Sequence, residues 1–213
     1  MPTNTVSISP SPLVAHYVAE LRDERTDQHR FVALATQLAS MLGYEAFADL
    51  ATVSAPVTTP VARDDQAKKI ADEVVLVPIL RAGLSLVPAL QNLLPSTRLC
   101  CVGLRRNEVT LQPDIYLDGL PEDLSGCVVA ILDPMLATGG SLNATIAMAK
   151  ERGAHDIRAL CLIAAVPGVE AVAKEHPDVR IFVAALDEVL NEHGYIVPGL
   201  GDAGDRLFGQ PVR

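Results

Sequence analysis

Short apolar runs alternate with stretches of helical spacing along the chain after residue 73. Continuous apolar runs of this kind predict strands buried on both faces, and the helical stretches between them predict βαβ units. The sequence therefore predicts an α/β fold with a twisted parallel sheet flanked by helices. The predicted strands occupy residues 74–80, 98–104, 127–132, 157–165 and 180–186.

The chain before residue 74 has a different pattern. Residues 1–10 predict a loose N-terminal arm, and apolar residues then recur at helical spacing over 11–23 and from about 27 to 42. A Thr/Pro/Ala-rich stretch over 52–62 is typical of strand or loop. We expect these helices and the tail after Asp187 to form a small cap over the carboxyl edge of the sheet. The whole chain, 1–213, is predicted to be a single domain.

One loop of small residues carries most of the functional information. In ILDPMLATGGSLNATI (131–146) a predicted buried strand ends at Asp133, and a helix begins near Gly140 or Ser141. Small residues let backbone N–H groups approach a phosphate, and a helix N-terminus adds unpaired donors. Asp133 can accept hydrogen bonds from a sugar diol, so the segment predicts a ribose 5-phosphate site. A P-loop is excluded because no lysine follows the glycines, while an ordinary strand–turn–helix connection remains the alternative.

Arginines follow two of the predicted strands. Arg81 comes directly after residues 74–80, and ligands of open parallel sheets bind at the carboxyl ends of strands. An exposed arginine that caps a carbonyl group is the alternative for Arg81. Arg105 and Arg106 begin a polar excursion, residues 105–126, which is long for a compact domain and predicts a flexible flap.

The tail contains Gly199, Gly201 and Gly204 in GxGxxG spacing. A dinucleotide site is not predicted, because that motif should open a helix inside a βαβ unit and few residues follow here. Glycines allow close backbone approach, which suits recognition of a flat base.

Charge and composition narrow the possible partners. The net charge is −9 and the pI about 4.9, which argues against non-specific nucleic-acid binding. No apolar stretch has the length of a membrane span, and the first residues lack a secretory signal pattern. We expect a cytoplasmic protein with neither a membrane nor a nucleic-acid partner. The four cysteines lie in strand-like runs without metal-ligand spacing and are interpreted as buried apolar residues.

Four segments, in order, resemble the uracil phosphoribosyltransferases, a branch of the type I phosphoribosyltransferase family. They are VPILRAGLS (77–85), RNEVTLQP (106–113), DPMLATGGS (133–141) and NEHGYIVPGLGDAGD (191–205), and the likeness extends over about residues 11 to 209. The resemblance implies the type I phosphoribosyltransferase fold. It also implies conversion of uracil and 5-phospho-α-D-ribose 1-diphosphate (PRPP) to UMP and diphosphate in pyrimidine salvage.

The resemblance assigns roles to individual positions. It implies two catalytic residues: Asp133, which contacts the sugar diol, and Arg106, which stabilises the diphosphate. Arg105 has no such role. Val109 stands where the family usually has Glu, a departure that bears on flap packing or regulation. The implied PRPP-binding residues are Arg81, Arg106, Asp133, Pro134, Met135, Leu136, Ala137, Thr138, Gly139, Gly140, Ser141 and Asp202. The implied uracil-binding residues, all in the tail 187–213, are Ile196, Gly201, Asp202 and Ala203.

The resemblance also implies a cofactor and partners. Mg²⁺ is expected to be held chiefly by the substrate diphosphate and water, without a metal site built from protein alone. A homodimer or higher homo-oligomer is expected, with GTP as a possible activator. Tyr195 is either a residue beside the base or a plain core aromatic. Two other functions stay open: a pyrimidine-sensing RNA-binding regulator, and a phosphoribosyltransferase for another base such as a purine.

Overall fold

The computed structural model describes residues 6–106 and 113–209. The strands, in chain order, are β1 (Val6–Ile8), β2 (Thr52–Ser54), β3 (Val57–Thr58), β4 (Arg63–Asp64), β5 (Lys68–Ile70), β6 (Glu73–Leu80), β7 (Arg98–Leu99), β8 (Val102–Arg106), β9 (Pro113–Asp118), β10 (Cys127–Leu132), β11 (Met135–Leu136), β12 (Asp156–Ala165), β13 (Arg180–Asp187), β14 (Val189–Leu190) and β15 (Ile196–Val197). The helices are α1 (Pro12–Arg22), α2 (Gln28–Ala46), α3 (Val87–Leu93), α4 (Gly140–Glu151), α5 (Val166–Glu175) and α6 (Ala203–Phe208), with a 3-10 helix at Ala82–Leu86.

A nine-stranded sheet forms the centre of the described chain. Its main order is β1-β13-β12-β10-β6-β8-β9, with β11 beside β12 and β7 beside β6. Every pairing is parallel except that of β8 with β9. The predicted α/β class and parallel sheet are confirmed, and the apolar runs coincide closely with β6, β10, β12 and β13.

Alternate residues of the central strands face two separate apolar cores. Leu76, Ala130 and Leu160 pack with α1, α2 and α3 on one face, whereas Val77 and Ile131 pack with α4 and α5 on the other. Because both faces are covered, the strands carry continuous apolar runs instead of alternating polar and apolar residues.

Helix α2 lies across one face of the sheet, whereas the sequence predicted it as part of a cap over the carboxyl edge. Asp27 caps its N-terminus by accepting a hydrogen bond from the backbone N–H of Arg30, at 2.8 Å. Its buried residues, including Phe31 and Leu38, belong to the same core as the central strands. The C-terminal helix α6 packs against α2 and the 3-10 helix, so the tail lies at the carboxyl edge.

The predicted loose arm over residues 1–10 needs correction. Val6–Ile8 form β1, which pairs in parallel with β13 through the register Val6 to Ile181. Ser9 continues the contact by donating its N–H to the carbonyl oxygen of Val183, at 3.0 Å. Local sequence gives no signal for this pairing, because the partner strand lies at the other end of the chain.

The predicted flap also has different boundaries. Its first part is an antiparallel hairpin of β8 and β9, and residues 107–112, including Val109, lie outside the described residues. Leu124 is fully buried and donates its N–H to the carbonyl oxygen of Arg152, at 2.7 Å. The end of the predicted flap, around Leu124, therefore belongs to the core. Only the β8–β9 hairpin is still predicted to move as a flap.

Two small antiparallel pairs precede β6. Strand β2 pairs with β5, and β3 pairs with β4, within the region predicted as strand or loop. No helix among the described residues is long and apolar enough to cross a membrane.

An ion-pair cluster ties α2 to the amino edge of the sheet, far from the strand ends that the tail covers. The Arg158 side chain is 2 % exposed, and its guanidinium binds Asp156 at 2.6 Å, Asp49 at 2.8 Å and the carbonyl oxygen of Ala46. Arg180 binds the same two carboxylates. The cluster satisfies a buried cation at the start of β12.

Candidate active site

A cavity of about 330 Å³ opens at the carboxyl edge of the sheet. Residues after β6 and β10 form one side of it, and the C-terminal tail forms the other. The predicted sugar-phosphate loop and the predicted base-binding tail therefore meet in one place. Its lining residues are Arg81, Ala82, Asp133, Met135, Ala137, Gly194, Tyr195, Ile196, Gly201, Asp202, Ala203 and Gly204.

Asp133 lies directly after β10, with one side open to this cavity and protein atoms around the rest. Burial raises the pKa of its carboxyl group to about 6. A hydrogen bond from the Met135 N–H lowers this pKa, but by less than burial raises it. That N–H lies 3.3 Å from Oδ1. The carboxylate therefore has spare acceptor capacity toward the cavity.

The loop after Asp133 is anchored in the sheet through its backbone. The carbonyl oxygen of Pro134 accepts hydrogen bonds from the N–H groups of Leu162 and Ile163, at 3.0 and 3.1 Å. Met135 and Leu136 form β11 beside β12, and the Leu136 side chain is 1 % exposed. This part of the loop is therefore fixed before the glycines that follow it.

The glycines let the loop turn sharply into α4. Gly139 has φ +85° and stands at the N-cap of α4, in a conformation that residues with side chains rarely adopt. Thr138 and Gly140 are exposed there, beside the first free N–H groups of the helix. Such a terminus can bind an anion.

Gly168 positions this loop from the side, a role that the sequence pattern did not reveal. A Cβ atom at Gly168 would lie 2.3 Å from the carbonyl oxygen of Ala137, so the first turn of α5 and the loop are in direct backbone contact. No local motif surrounds Gly168. Only the fold shows why a side chain is excluded.

Arg81 follows β6 across a cis peptide bond with Leu80, and its exposed side chain lines the cavity. Gly83, two residues on, packs against the end of β10. A Cβ atom there would lie 2.2 Å from the carbonyl oxygen of Leu132. The absence of a side chain at Gly83 therefore keeps Arg81 close to Asp133.

The tail reaches the cavity as a short hairpin and a helix of six residues. Ile196, in β15, is buried, and Asp202 caps α6 by accepting the Asp205 N–H at 3.0 Å. Gly201 has φ +81° and lies between them. Tyr195 is 46 % exposed and lines the cavity, which decides against a plain core aromatic.

A partly buried ion pair holds the tail in place, and sequence analysis missed it. Asp187, at the end of β13, is 7 % exposed and accepts two hydrogen bonds from Arg22, at 2.7 and 2.8 Å. It also accepts the Gly199 N–H at 3.0 Å. The partners are far apart in sequence, so no local spacing could have identified the pair.

The cavity brings together most, but not all, of the predicted site residues. Outside the lining itself, Pro134, Leu136, Thr138 and Gly139 lie on the same loop, and Gly140 and Ser141 begin α4. Arg106 ends β8 opposite Pro113 on the neighbouring strand, and its side chain lies outside the described parts. Cys100, Cys127 and Cys161 are buried, as expected, whereas Cys101 is only partly buried. The predicted residues within the lining are Arg81, Asp133, Met135, Ala137, Ile196, Gly201, Asp202 and Ala203.

Solved structures define the class of this fold. The AQ2163 protein from Aquifex aeolicus superposes with a TM-score of 0.90 at 37 % identity, over 98 % of this chain and 100 % of that chain. A hypoxanthine phosphoribosyltransferase from Staphylococcus aureus gives 0.54 at 13 % identity, over 83 % and 82 %. With its parallel sheet and strand-end loop, the chain has the fold of the type I phosphoribosyltransferases.

A family model for uracil phosphoribosyltransferase matches residues 8–210, and the chain belongs to that family. The uracil phosphoribosyltransferase of Kineococcus radiotolerans is 49 % identical over 96 % of this chain and 98 % of its own length. That of Streptococcus pneumoniae serotype 4 is 47 % identical over 93 % and 95 %. The resemblance drawn from sequence motifs is thereby confirmed.

Proposed function

We propose that this protein transfers the phosphoribosyl group of PRPP to uracil, forming UMP and releasing diphosphate. One observation carries the proposal: Asp133, at the head of the phosphate-binding loop, shares a single cavity with Ile196 and Gly201 of the tail. A sugar-phosphate site and a base site must be adjacent for a bond to form between the two substrates. Family membership supports the same activity.

The PRPP half of the proposed site runs from Asp133 to Ser141. The carboxylate of Asp133 accepts hydrogen bonds from the ribose diol, and the N-terminus of α4 binds the 5-phosphate. Arg81 and Arg106, on separate loops, bind the diphosphate through charge-assisted hydrogen bonds. The exposed position of Arg81 at the cavity supports its part in this arrangement.

The uracil half of the proposed site is mostly backbone. Uracil presents two carbonyl acceptors and an N3–H donor, which alternating C=O and N–H groups can recognise. We assign this to Ile196, Gly201, Asp202 and Ala203, beside the exposed ring of Tyr195. Cytosine reverses the polarity at positions 3 and 4 and would leave buried groups unpaired, a difference worth a factor of about 10⁴–10⁵ in such sites.

The proposed reaction is a displacement at the anomeric carbon with oxocarbenium-like character. Negative charge grows on the departing diphosphate, and Arg81 and Arg106 stabilise it there. The pKa of Asp133, about 6, leaves its carboxylate ionised at neutral pH and able to bind the diol. The proton on uracil N1 passes to water or to Asp202, the second carboxylate of the cavity. Closure of the β8–β9 hairpin over the cavity would exclude water from PRPP.

Mg²⁺ fits the residues present as a cofactor that arrives with PRPP. The described residues contain no group of three or more His, Cys, Asp or Glu that could hold a metal, but Asp133 and Asp202 both line the cavity. Mg²⁺ keeps several waters and needs only one or two carboxylates besides substrate phosphates. When bound, it neutralises charge on the diphosphate.

We further propose that the protein forms a homodimer or a higher homo-oligomer and that GTP activates it. We also propose that it is located in the cytoplasm. Exposed apolar residues on the N-terminal helices, Leu13 at 47 % and Tyr44 at 73 %, would be covered in such an assembly. Light scattering and turnover, each with and without GTP, would test assembly and activation.

A base panel tests the main proposal. Diphosphate release is measured with PRPP, Mg²⁺ and either uracil, cytosine, orotate or hypoxanthine, and the nucleotide product is identified by mass. Release with uracil alone supports the proposal, and release with hypoxanthine would favour the purine alternative. RNA binding at low salt without turnover would favour the regulator instead.

A further inference from the structure

Both backbone groups of one glycine in the tail are bound by a single ion pair. Asp187 accepts the N–H of Gly199 at 3.0 Å, and Arg22 donates to the carbonyl oxygen of Gly199 at 2.9 Å. The same two side chains bind each other through two hydrogen bonds, at 2.7 and 2.8 Å. The Arg22–Asp187 pair thereby fixes the planes of the peptides on either side of Gly199.

Gly199 stands between the residues of the tail that line the cavity. It follows Ile196 by three positions and precedes Gly201 by two. Its φ is +55°, and a Cβ atom there would lie 2.1 Å from the carbonyl oxygen of Ile196, so the turn is tight and admits only glycine. The orientation of this one residue determines how Ile196 and Gly201 face each other.

The pair itself stays out of the cavity. Neither Arg22 nor Asp187 lines it, and both bind Gly199, which lies between two of its lining residues in the chain. Arg22 instead lines a neighbouring pocket, together with Gly201 and Asp202. A buried ion pair is weak evidence for stability, because apolar residues of similar size often stabilise a fold equally well. An apolar pair could not, however, bind an N–H and a carbonyl group of the same residue.

We propose that Arg22 and Asp187 are positioning residues for uracil, which hold the base-recognising backbone of the tail at its working geometry. This inference rests on the proposed function of the site. Backbone recognition of a small flat base tolerates little displacement, since a shift of about 1 Å can cost roughly a hundredfold in rate. The pair therefore affects the base and leaves PRPP binding by the loop after β10 almost unchanged.

The test compares two variants of the full chain with wild type and a matched control. Asp187→Asn weakens the pair, and the double variant Arg22→Met/Asp187→Leu removes both charges without leaving either buried alone. The control, Asp156→Asn, disrupts the ion-pair cluster at the opposite edge of the sheet, which touches no cavity residue. KM for uracil, KM for PRPP, kcat and the uracil-to-cytosine ratio are measured for each, with thermal unfolding alongside.

We expect both variants to raise KM for uracil about tenfold or more, with KM for PRPP within about twofold of wild type. Asp156→Asn, the control, should have a lower unfolding temperature, but its KM for uracil should not rise relative to its KM for PRPP. Equal changes in both KM values, or no change in the folded double variant, would overturn the inference. Wild-type protein that forms no UMP would instead overturn the proposed function and this inference with it.

Discussion

The backbone of Gly168 lies against the carbonyl oxygen of Ala137, so closely that a Cβ atom at Gly168 would come within 2.3 Å of it. Helix α5 and the loop after β10 therefore share a contact between main chains, without side chains in between. Any enlargement at Gly168 must move one of the two. Because the loop carries the proposed phosphate contacts, this packing links the shape of α5 to PRPP binding.

Gly168→Ala should therefore weaken PRPP binding more than uracil binding. Overpacking of this kind costs about 1–3 kcal/mol of stability, and the displaced loop should raise KM for PRPP severalfold. Steady-state kinetics with each substrate varied in turn checks the outcome. Glu170→Ala, on the exposed side of the same helix, is the control. An unchanged KM for PRPP in Gly168→Ala would show that the loop does not transmit the displacement.

Asp133→Asn should preserve the fold and reduce turnover. The amide keeps the size of the side chain but loses the charge on the proposed diol contact, worth about 1.5–3 kcal/mol. We therefore expect kcat/KM for PRPP to fall about ten- to a hundredfold. Turnover close to wild type, in a protein with an unchanged circular dichroism spectrum, would reject this role for Asp133.

The same substitution should change how stability depends on pH. The pKa of Asp133 is about 6 in the folded chain, against an ordinary value of 3.8. Because the folded state binds the proton more tightly, this residue destabilises the fold increasingly as pH rises from about 4 to 6, and fully above that. Relative to wild type, Asp133→Asn should gain stability over this window, by up to about 3 kcal/mol.

Urea unfolding of both proteins without substrate, at half-unit steps from pH 4 to 8, measures this difference. It should rise and then level off above pH 6. A difference that is constant across the range would mean that the Asp133 carboxyl does not titrate abnormally.

Arg106→Ala should lower turnover and leave uracil recognition almost unchanged. The proposed contact forms with the departing diphosphate, so its loss should reduce kcat/KM for PRPP about a hundredfold. Arg105→Ala is the matched control, since the Arg105 side chain is directed toward Asp114, with Nε 3.8 Å from Oδ2. Equal losses in both variants would point to general charge in the hairpin rather than to Arg106.

Removing one acid from the amino-edge cluster should destabilise the fold in a pH-dependent way. Burial alone would raise the pKa of Asp156, but hydrogen bonds from Arg158 and Arg180 outweigh it and hold that pKa below its ordinary value. The stability that the ionised carboxylate contributes is present at neutral pH and is lost as pH falls below about 4. Asp156→Asn should cost about 1–2 kcal/mol at pH 7, discounted because the acid is partly exposed. Its effect should shrink toward pH 3; a constant loss would contradict this.

The sequence predicted the central strands well because both faces of the sheet are buried. Continuous apolar runs such as 127–132 and 157–165 have few other interpretations, and their ends placed Asp133 and Arg81 at one edge of the sheet. The loop motif likewise predicted, from local residues alone, the start of α4 where we propose that the 5-phosphate binds.

Features that depend on distant partners were missed. The strand Val6–Ile8 pairs with residues about 175 positions later in the chain. The Arg22–Asp187 ion pair joins two residues that are 165 positions apart. Neither contact produces a recognisable pattern in the sequence around its residues. Gly168 has likewise no local reason to be glycine, since its constraint comes from Ala137 across a helix–loop contact.

The order in which the sheet closes has a consequence for synthesis of the chain. Strand β1 is synthesised about 175 residues before its partner β13. A nascent chain that has not reached residue 180 lacks the partner of β1, so this edge of the sheet forms only after β13 has been synthesised. A product that lacked Val6–Ile8 would leave this edge of β13 unpaired, and an unpaired strand edge is a template for aggregation.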